Sequence, residues 1–193
     1  MPGKAEDVGA IIRSLSELYR KYITGLPAEE MDALKIHLSY PEDVSAGMME
    51  MLEGTIAAGP RTPKQLRVYR GAGMEDAPIE ERRLFAYPMA TSLDRSVARG
   101  FGDPVQALTM PEGSPGLLLT PQTTPFAWDE LYHGGLYPKW GEAEMLIPTA
   151  KPGTTEPARF YRHPGFEGDV MEEFTYRPPY KARGGLAQVG DMM

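Results

Sequence analysis

The chain of 193 residues contains no cysteine. That absence excludes disulfides, thiolate metal sites and cysteine nucleophiles together, and it suits a reducing compartment. Histidine is almost as scarce. His37, His133 and His163 include no close pair, so a zinc site is not expected. No apolar run approaches the length that spans a bilayer, and the N-terminus lacks the basic-then-apolar order of a signal peptide. The chain is therefore expected to be soluble. Positive charge is also in deficit, with a formal net charge of −7, which argues against wrapping around nucleic acid.

What is present points to one sizeable domain rich in turns. Hydrophobic residues make up 41% of the chain, enough for a real core, and 21 glycines with 19 prolines punctuate it heavily. The first third reads as helical. Ile11, Leu15, Leu18 and Tyr22 recur at three- and four-residue spacing, and Met31, Leu34 and Leu38 begin a second stripe. Ser39 and Glu42 resemble a capping box, with Pro41 in the first turn, ahead of a third stripe of Val44, Met48, Leu52 and Ile56 ended by Gly59-Pro60. Core packing is the simplest reading of all three.

After Pro63 the period changes from helix to strand. Leu66, Val68 and Arg70 alternate with Gln65, Arg67 and Tyr69. Further strands are expected over 83–89, 105–110, 116–119, 142–148, 158–161 and 170–176, separated by Pro/Gly/Thr turns. Asp94 fits the N-cap of a short helix carrying Val97, Ala98 and Phe101. Helices first and strands after, with no repeating βαβ unit, make this an α+β domain. It is expected to span 1–176, helical over 5–60 and β-rich over 64–176. Residues 177–193 lose all pattern and are expected to be an extended or mobile tail, or the start of a linker.

Three motifs could carry chemistry. Glu142-Ala143-Glu144 precedes an apolar run. On a strand, residues two apart face one way, and two close carboxylates favour a cationic partner such as a guanidinium or a positively charged sugar. A solvated edge holding two glutamates is the plain alternative. Tyr69-Arg70-Gly71 places an arginine fork at a strand end, suited to phosphate oxygens, beside a glycine that admits close approach. A surface ion pair would look the same. Gly71 and Gly73 do not make a dinucleotide-binding turn, because Asp76 stands where the third glycine belongs and no βαβ follows. Ala90-Thr91-Ser92 ends a strand before the helix at 94–101, where hydroxyls could bind a sugar or simply satisfy local backbone. A glycosidase is disfavoured, since its carboxylates come from separate elements.

In this order, Tyr69-Arg70-Gly71, Ala90-Thr91-Ser92 with its Val97, Ala98 and Phe101 helix, and Glu142-x-Glu144 before an apolar strand and Pro148 resemble the Arg-Ser-Glu class of mono-ADP-ribosyltransferases. The class includes bacterial toxins, vertebrate ectoenzymes and bacteriophage enzymes. The resemblance covers about Lys64 to Pro148. It implies N-terminal helices packed on a split mixed/antiparallel β-sandwich with a central NAD-binding cleft. It implies cleavage of NAD and transfer of ADP-ribose to an arginine of a target protein, with NAD as co-substrate and no metal. Arg70, Gly71, Thr91, Ser92 and Phe101 would bind NAD. Glu144 would be the catalytic carboxylate and Glu142 would orient or deprotonate the acceptor guanidinium, while Tyr137 and Trp140 would recognise the target. Such an enzyme would act in a host cytoplasm after delivery by a virion or a secretion system. One position departs from the pattern: the first serine of Ser-Thr-Ser is Ala90, which cannot make that serine's hydrogen bond. The departure leaves open a weakened enzyme, or a binding or structural domain of a larger protein such as a virion component.

Overall fold

The computed structural model describes residues 7–39, 43–71, 88–102, 105–126, 143–149, 158–163 and 171–178. Three helices come first: α1 (Val8–Ile23), α2 (Ala28–Ser39) and α3 (Ala46–Ala58). The Asp7 carboxylate caps α1 by accepting from the Gly9 amide at 2.9 Å. Its buried stripe is Ile11, Ile12, Leu15, Tyr19 and Ile23, which leaves Leu18 43% exposed at the edge of the face where the sequence placed it inside. Glu29 and Glu30 occupy the first turn of α2, where the helix dipole favours negative charge.

The expected capping box of Ser39 and Glu42 is not the start of α3, and Pro41 and Glu42 lie outside the described residues. Ser39 is the last residue of α2, and its hydroxyl donates to the Lys35 carbonyl at 2.8 Å, one turn back. The α3 cap is Ser45, whose hydroxyl accepts from the Met48 amide at 3.3 Å. Val44 consequently precedes the helix, although it still packs against the core. Side chains tie the three helices together. Thr55 of α3 donates to the Glu30 carboxylate at 2.6 Å, and the Tyr22 hydroxyl donates to the Thr55 carbonyl at 2.7 Å.

The strands are β1 (Leu66–Gly71), β2 (Met89–Ser92), β3 (Val105–Met110), β4 (Leu117–Leu119), β5 (Glu144–Ile147), β6 (Arg159–Arg162) and β7 (Met171–Arg177), with the short helix α4 (Arg95–Gly100) after β2. They lie in the order β4-β5-β2-β1-β3-β7-β6. Every pairing is antiparallel except β3 with β7. This is the α+β class expected, helices packed on a mixed sheet. One continuous core joins Ile12, Tyr19, Leu34 and Ile56 of the helices to Leu66, Val68, Leu108, Leu118 and Leu146 of the sheet. Burial alternates over Leu66, Arg67 and Val68 at the start of β1, whereas β4, at the edge of the sheet, and β5 beside it are buried at every position. The chain beyond β5 is anchored twice. The buried Tyr176 hydroxyl donates to the Pro148 carbonyl at 2.7 Å, and the buried Glu53 carboxylate accepts from the Thr149 amide at 3.2 Å.

Strand β5 begins at Glu144, two residues later than the sequence pattern suggested. The reason is Ala143, a buried non-glycine residue in the left-handed region at φ 45°. Glu142 lies outside the described residues, as do the expected strand segment 83–87 and the tail from 179 onward. No helix among the described residues is long and apolar enough to cross a membrane.

Candidate active site

A cleft of about 470 Å³ opens where the end of α2 meets β1, β2, β5 and α4. Its floor is built by strand register. Tyr69 of β1 pairs with Ser92 of β2, and Ser92 pairs with Glu144 of β5, so the three stand in one cross-strand row with side chains on a common face. The row brings together residues far apart in the chain, and all three line the cleft.

Arg70, next along β1, is partly buried and its guanidinium donates to the Ala90 carbonyl at 3.2 Å. That contact pins the fork across the β1–β2 pair at the cleft wall. Thr91 is buried, and its hydroxyl donates to the Met145 carbonyl at 2.6 Å, so it stitches β2 to β5. The Ser92 hydroxyl accepts from the Asp94 amide at 2.9 Å and so shapes the turn into α4. Asp94 is the N-cap expected, accepting from the amide and the hydroxyl of Ser96 at 2.8 and 2.6 Å. Helix α4 carries Val97 and Ala98 to the cleft wall and leaves Phe101 at the rim, 61% exposed.

Gly71 is needed for packing. A Cβ there would overlap the Ala98 carbonyl oxygen and stand 2.7 and 2.9 Å from the Gly102 amide nitrogen and carbonyl oxygen. The close approach that glycine permits is thus made by the protein's own backbone at the end of α4. Glu144 is 7% exposed, and one of its oxygens, Oε1, lies 3.0 Å from His37 Nε2 on α2. An ionised carboxylate only accepts hydrogen bonds, so against it Nε2 carries the proton.

Arg70, Gly71, Thr91, Ser92, Phe101 and Glu144 therefore converge on one cleft, while Glu142, Tyr137 and Trp140 lie outside the described residues. The sequence pattern assigned no role to His37, and none to Tyr69 beyond its place in the Tyr69-Arg70-Gly71 motif. The available signal for His37 was its place one turn after the buried Leu34 and beside the buried Leu38. No group of three His, Asp or Glu among the described residues could hold a metal ion.

No protein-family model matches the chain, and no curated protein matches it in sequence. Solved structures do match. The C3 exoenzyme of Clostridium limosum superposes with a TM-score of 0.55 at 13% identity, over 89% of this chain and 95% of that one. C3larvin toxin, an ADP-ribosyltransferase from Paenibacillus larvae, gives 0.51 at 12% identity, over 84% and 94%. C3stau2 from S. aureus, solved with NAD, gives 0.53 at 10% identity, over 89% and 94%. The chain has the ADP-ribosyltransferase fold. At these identities the likeness lies in the backbone, and the side chains of this ADP-ribosyltransferase-fold cleft must be read on their own chemistry. That chemistry is a cationic fork on β1, a buried carboxylate on β5, hydroxyls on β2 between them, and an exposed aromatic ring at the rim.

Proposed function

We propose that the protein is an NAD-dependent mono-ADP-ribosyltransferase with an arginine side chain as acceptor. The observation that carries this reading is the convergence of Arg70, Ser92 and Glu144 on one cleft of an ADP-ribosyltransferase fold. The residues present fit NAD. A planar arginine fork suits a pyrophosphate, the Phe101 ring offers a stacking face, and the cleft of about 470 Å³ falls within the usual range for small-molecule sites. When bound, NAD supplies an ADP-ribosyl group whose bond to nicotinamide breaks, the bonding pair leaving with nicotinamide. Glu144 places its negative charge where positive charge develops on the ribose, in a site largely shielded from water. The new bond forms between the ribose carbon and a guanidinium nitrogen, which gives up a proton. Glu142 is the group proposed to orient that guanidinium or take its proton, on the strength of the Glu-x-Glu pattern. Tyr137 and Trp140 are proposed to contact the target protein.

The test is nicotinamide release from NAD by the purified protein. Glu144→Gln should slow it by about 100-fold or more. Undiminished release in that variant would remove Glu144 from the catalytic role. Mass spectrometry of a protein mixture incubated with labelled NAD identifies the acceptor, and modification confined to residues other than arginine would overturn that half of the proposal. Ala90 favours a second reading, a domain that binds NAD without turning it over. Calorimetric NAD binding with no nicotinamide release would select it.

A further inference from the structure

A carboxylate as buried as Glu144 needs hydrogen-bond donors to hold one orientation. Its own sheet supplies little. Ala90, two residues before the cross-strand partner Ser92, has no side-chain donor to give, and the Ser92 hydroxyl, which accepts from the Asp94 amide, makes no hydrogen bond to Glu144 among the described residues. The donor comes instead from another layer of the fold. His37 sits in the last turn of α2, its side chain 12% exposed, with Nε2 3.0 Å from Glu144 Oε1. This is the side-chain hydrogen bond of Glu144 among the described residues. The imidazole is mounted rigidly, because Leu34 and Leu38 bury the same stretch of helix against the core. A donor carried by a packed helix holds its target more firmly than one on a loop.

We propose that His37 is the positioning residue for Glu144. It occupies Oε1, selects the carboxylate's rotamer and leaves the second oxygen to face the substrate. The assignment rests on the reading of Glu144 as the catalytic carboxylate. It makes α2, outside all three sequence motifs, part of the working site. The other titratable groups lining the cleft among the described residues are Tyr69 and Arg70, both on β1.

Two variants and one spectroscopic titration test this. His37→Leu keeps the bulk and removes the donor, while His37→Gln can place an amide N–H at similar reach. In nicotinamide-release assays, His37→Leu should lower kcat by about tenfold or more with KM for NAD changed less than about twofold, and His37→Gln should recover most of the loss. Thermal melts of both variants separate a folding defect from a positioning one. In parallel, the NMR titration midpoint of the His37 ring in the intact protein should fall by about one pH unit in Glu144→Gln, since the facing negative charge is gone. A His37→Leu variant with wild-type kcat, or a His37 midpoint unmoved by Glu144→Gln, overturns the proposal. If the wild-type protein releases no nicotinamide, the proposed function fails on its own account, and the titration still decides whether His37 and Glu144 are paired.

Discussion

Replacing Gly71 with alanine puts the packing of the cleft wall to a direct test. The added methyl would overlap the Ala98 carbonyl oxygen and crowd both backbone polar atoms of Gly102. All three obstacles are main chain, so no side-chain rotation relieves them. Helix α4 would have to retreat from β1 by about 1 Å to restore ordinary contact, which places the cost at the upper end of overpacking, about 3 kcal/mol. For a chain of this size, that lowers Tm by about 6–12 °C. Because α4 carries Val97, Ala98 and Phe101 along the cleft, KM for NAD should rise in the same variant. Gly54→Ala is the matched control. Gly54 lies inside α3 with open space where an alanine methyl would stand, so that change should stabilise by about 0.5–1 kcal/mol. Circular-dichroism melts of the three proteins decide the matter. A Gly71→Ala protein that melts within about 2 °C of wild type would show that α4 is not seated on β1 as described.

Arg70→Lys keeps the charge but loses the planar fork, so KM for NAD should rise by about tenfold; an unchanged KM would detach Arg70 from NAD binding. Thr91→Val keeps the shape but removes the buried bond to the Met145 carbonyl, at a cost of about 1–3 kcal/mol read from urea unfolding, and an unshifted midpoint would deny that bond a role. Stability should fall in alkali. Burial, then Glu30, pushes the Tyr22 hydroxyl up to about 12 against the opposing effect of Arg61, and burial holds Tyr19 higher still, partly offset by Arg61. The folded protein thus keeps protons that the unfolded chain sheds above pH 10 or so, and the stabilisation is complete below that point and lost as pH rises toward 12. Urea midpoints measured between pH 9 and pH 11 should drop for the wild type and drop less for Tyr22→Phe; parallel curves would count against the assignment.

Much of the fold was legible because it is written in local periods. The stripes of α1 and α3, the alternation of β1 and the Asp94 cap are each set by residues within a few positions of one another. Misreadings arose where two local solutions compete. Ser39 and Ser45 both offer a hydroxyl ahead of apolar spacing, and Ser39 turns back to the Lys35 carbonyl because α2 runs through it. Tyr19 and Leu18 are adjacent, and which one faces inward depends on how the helix is rolled on the sheet. The strand pattern offers no sign that Ala143 turns left-handed and that β5 starts only at Glu144. Gly71 announced a close approach without saying what would approach. His37 carried least signal of all. Its partner lies 107 positions away, and nothing in either neighbourhood names the other.

That separation has a kinetic consequence. Local contacts form early and cheaply, whereas a contact closing so long a stretch of chain must wait until the intervening helices and strands are in place. The row of Tyr69, Ser92 and Glu144 has the same character, since each member comes from a different strand. Contacts of such separation are expected to assemble late in folding. A chain whose α2 has come away from the sheet would retain most of its strands and none of its geometry at Glu144, which couples competence at this site to completion of the whole fold.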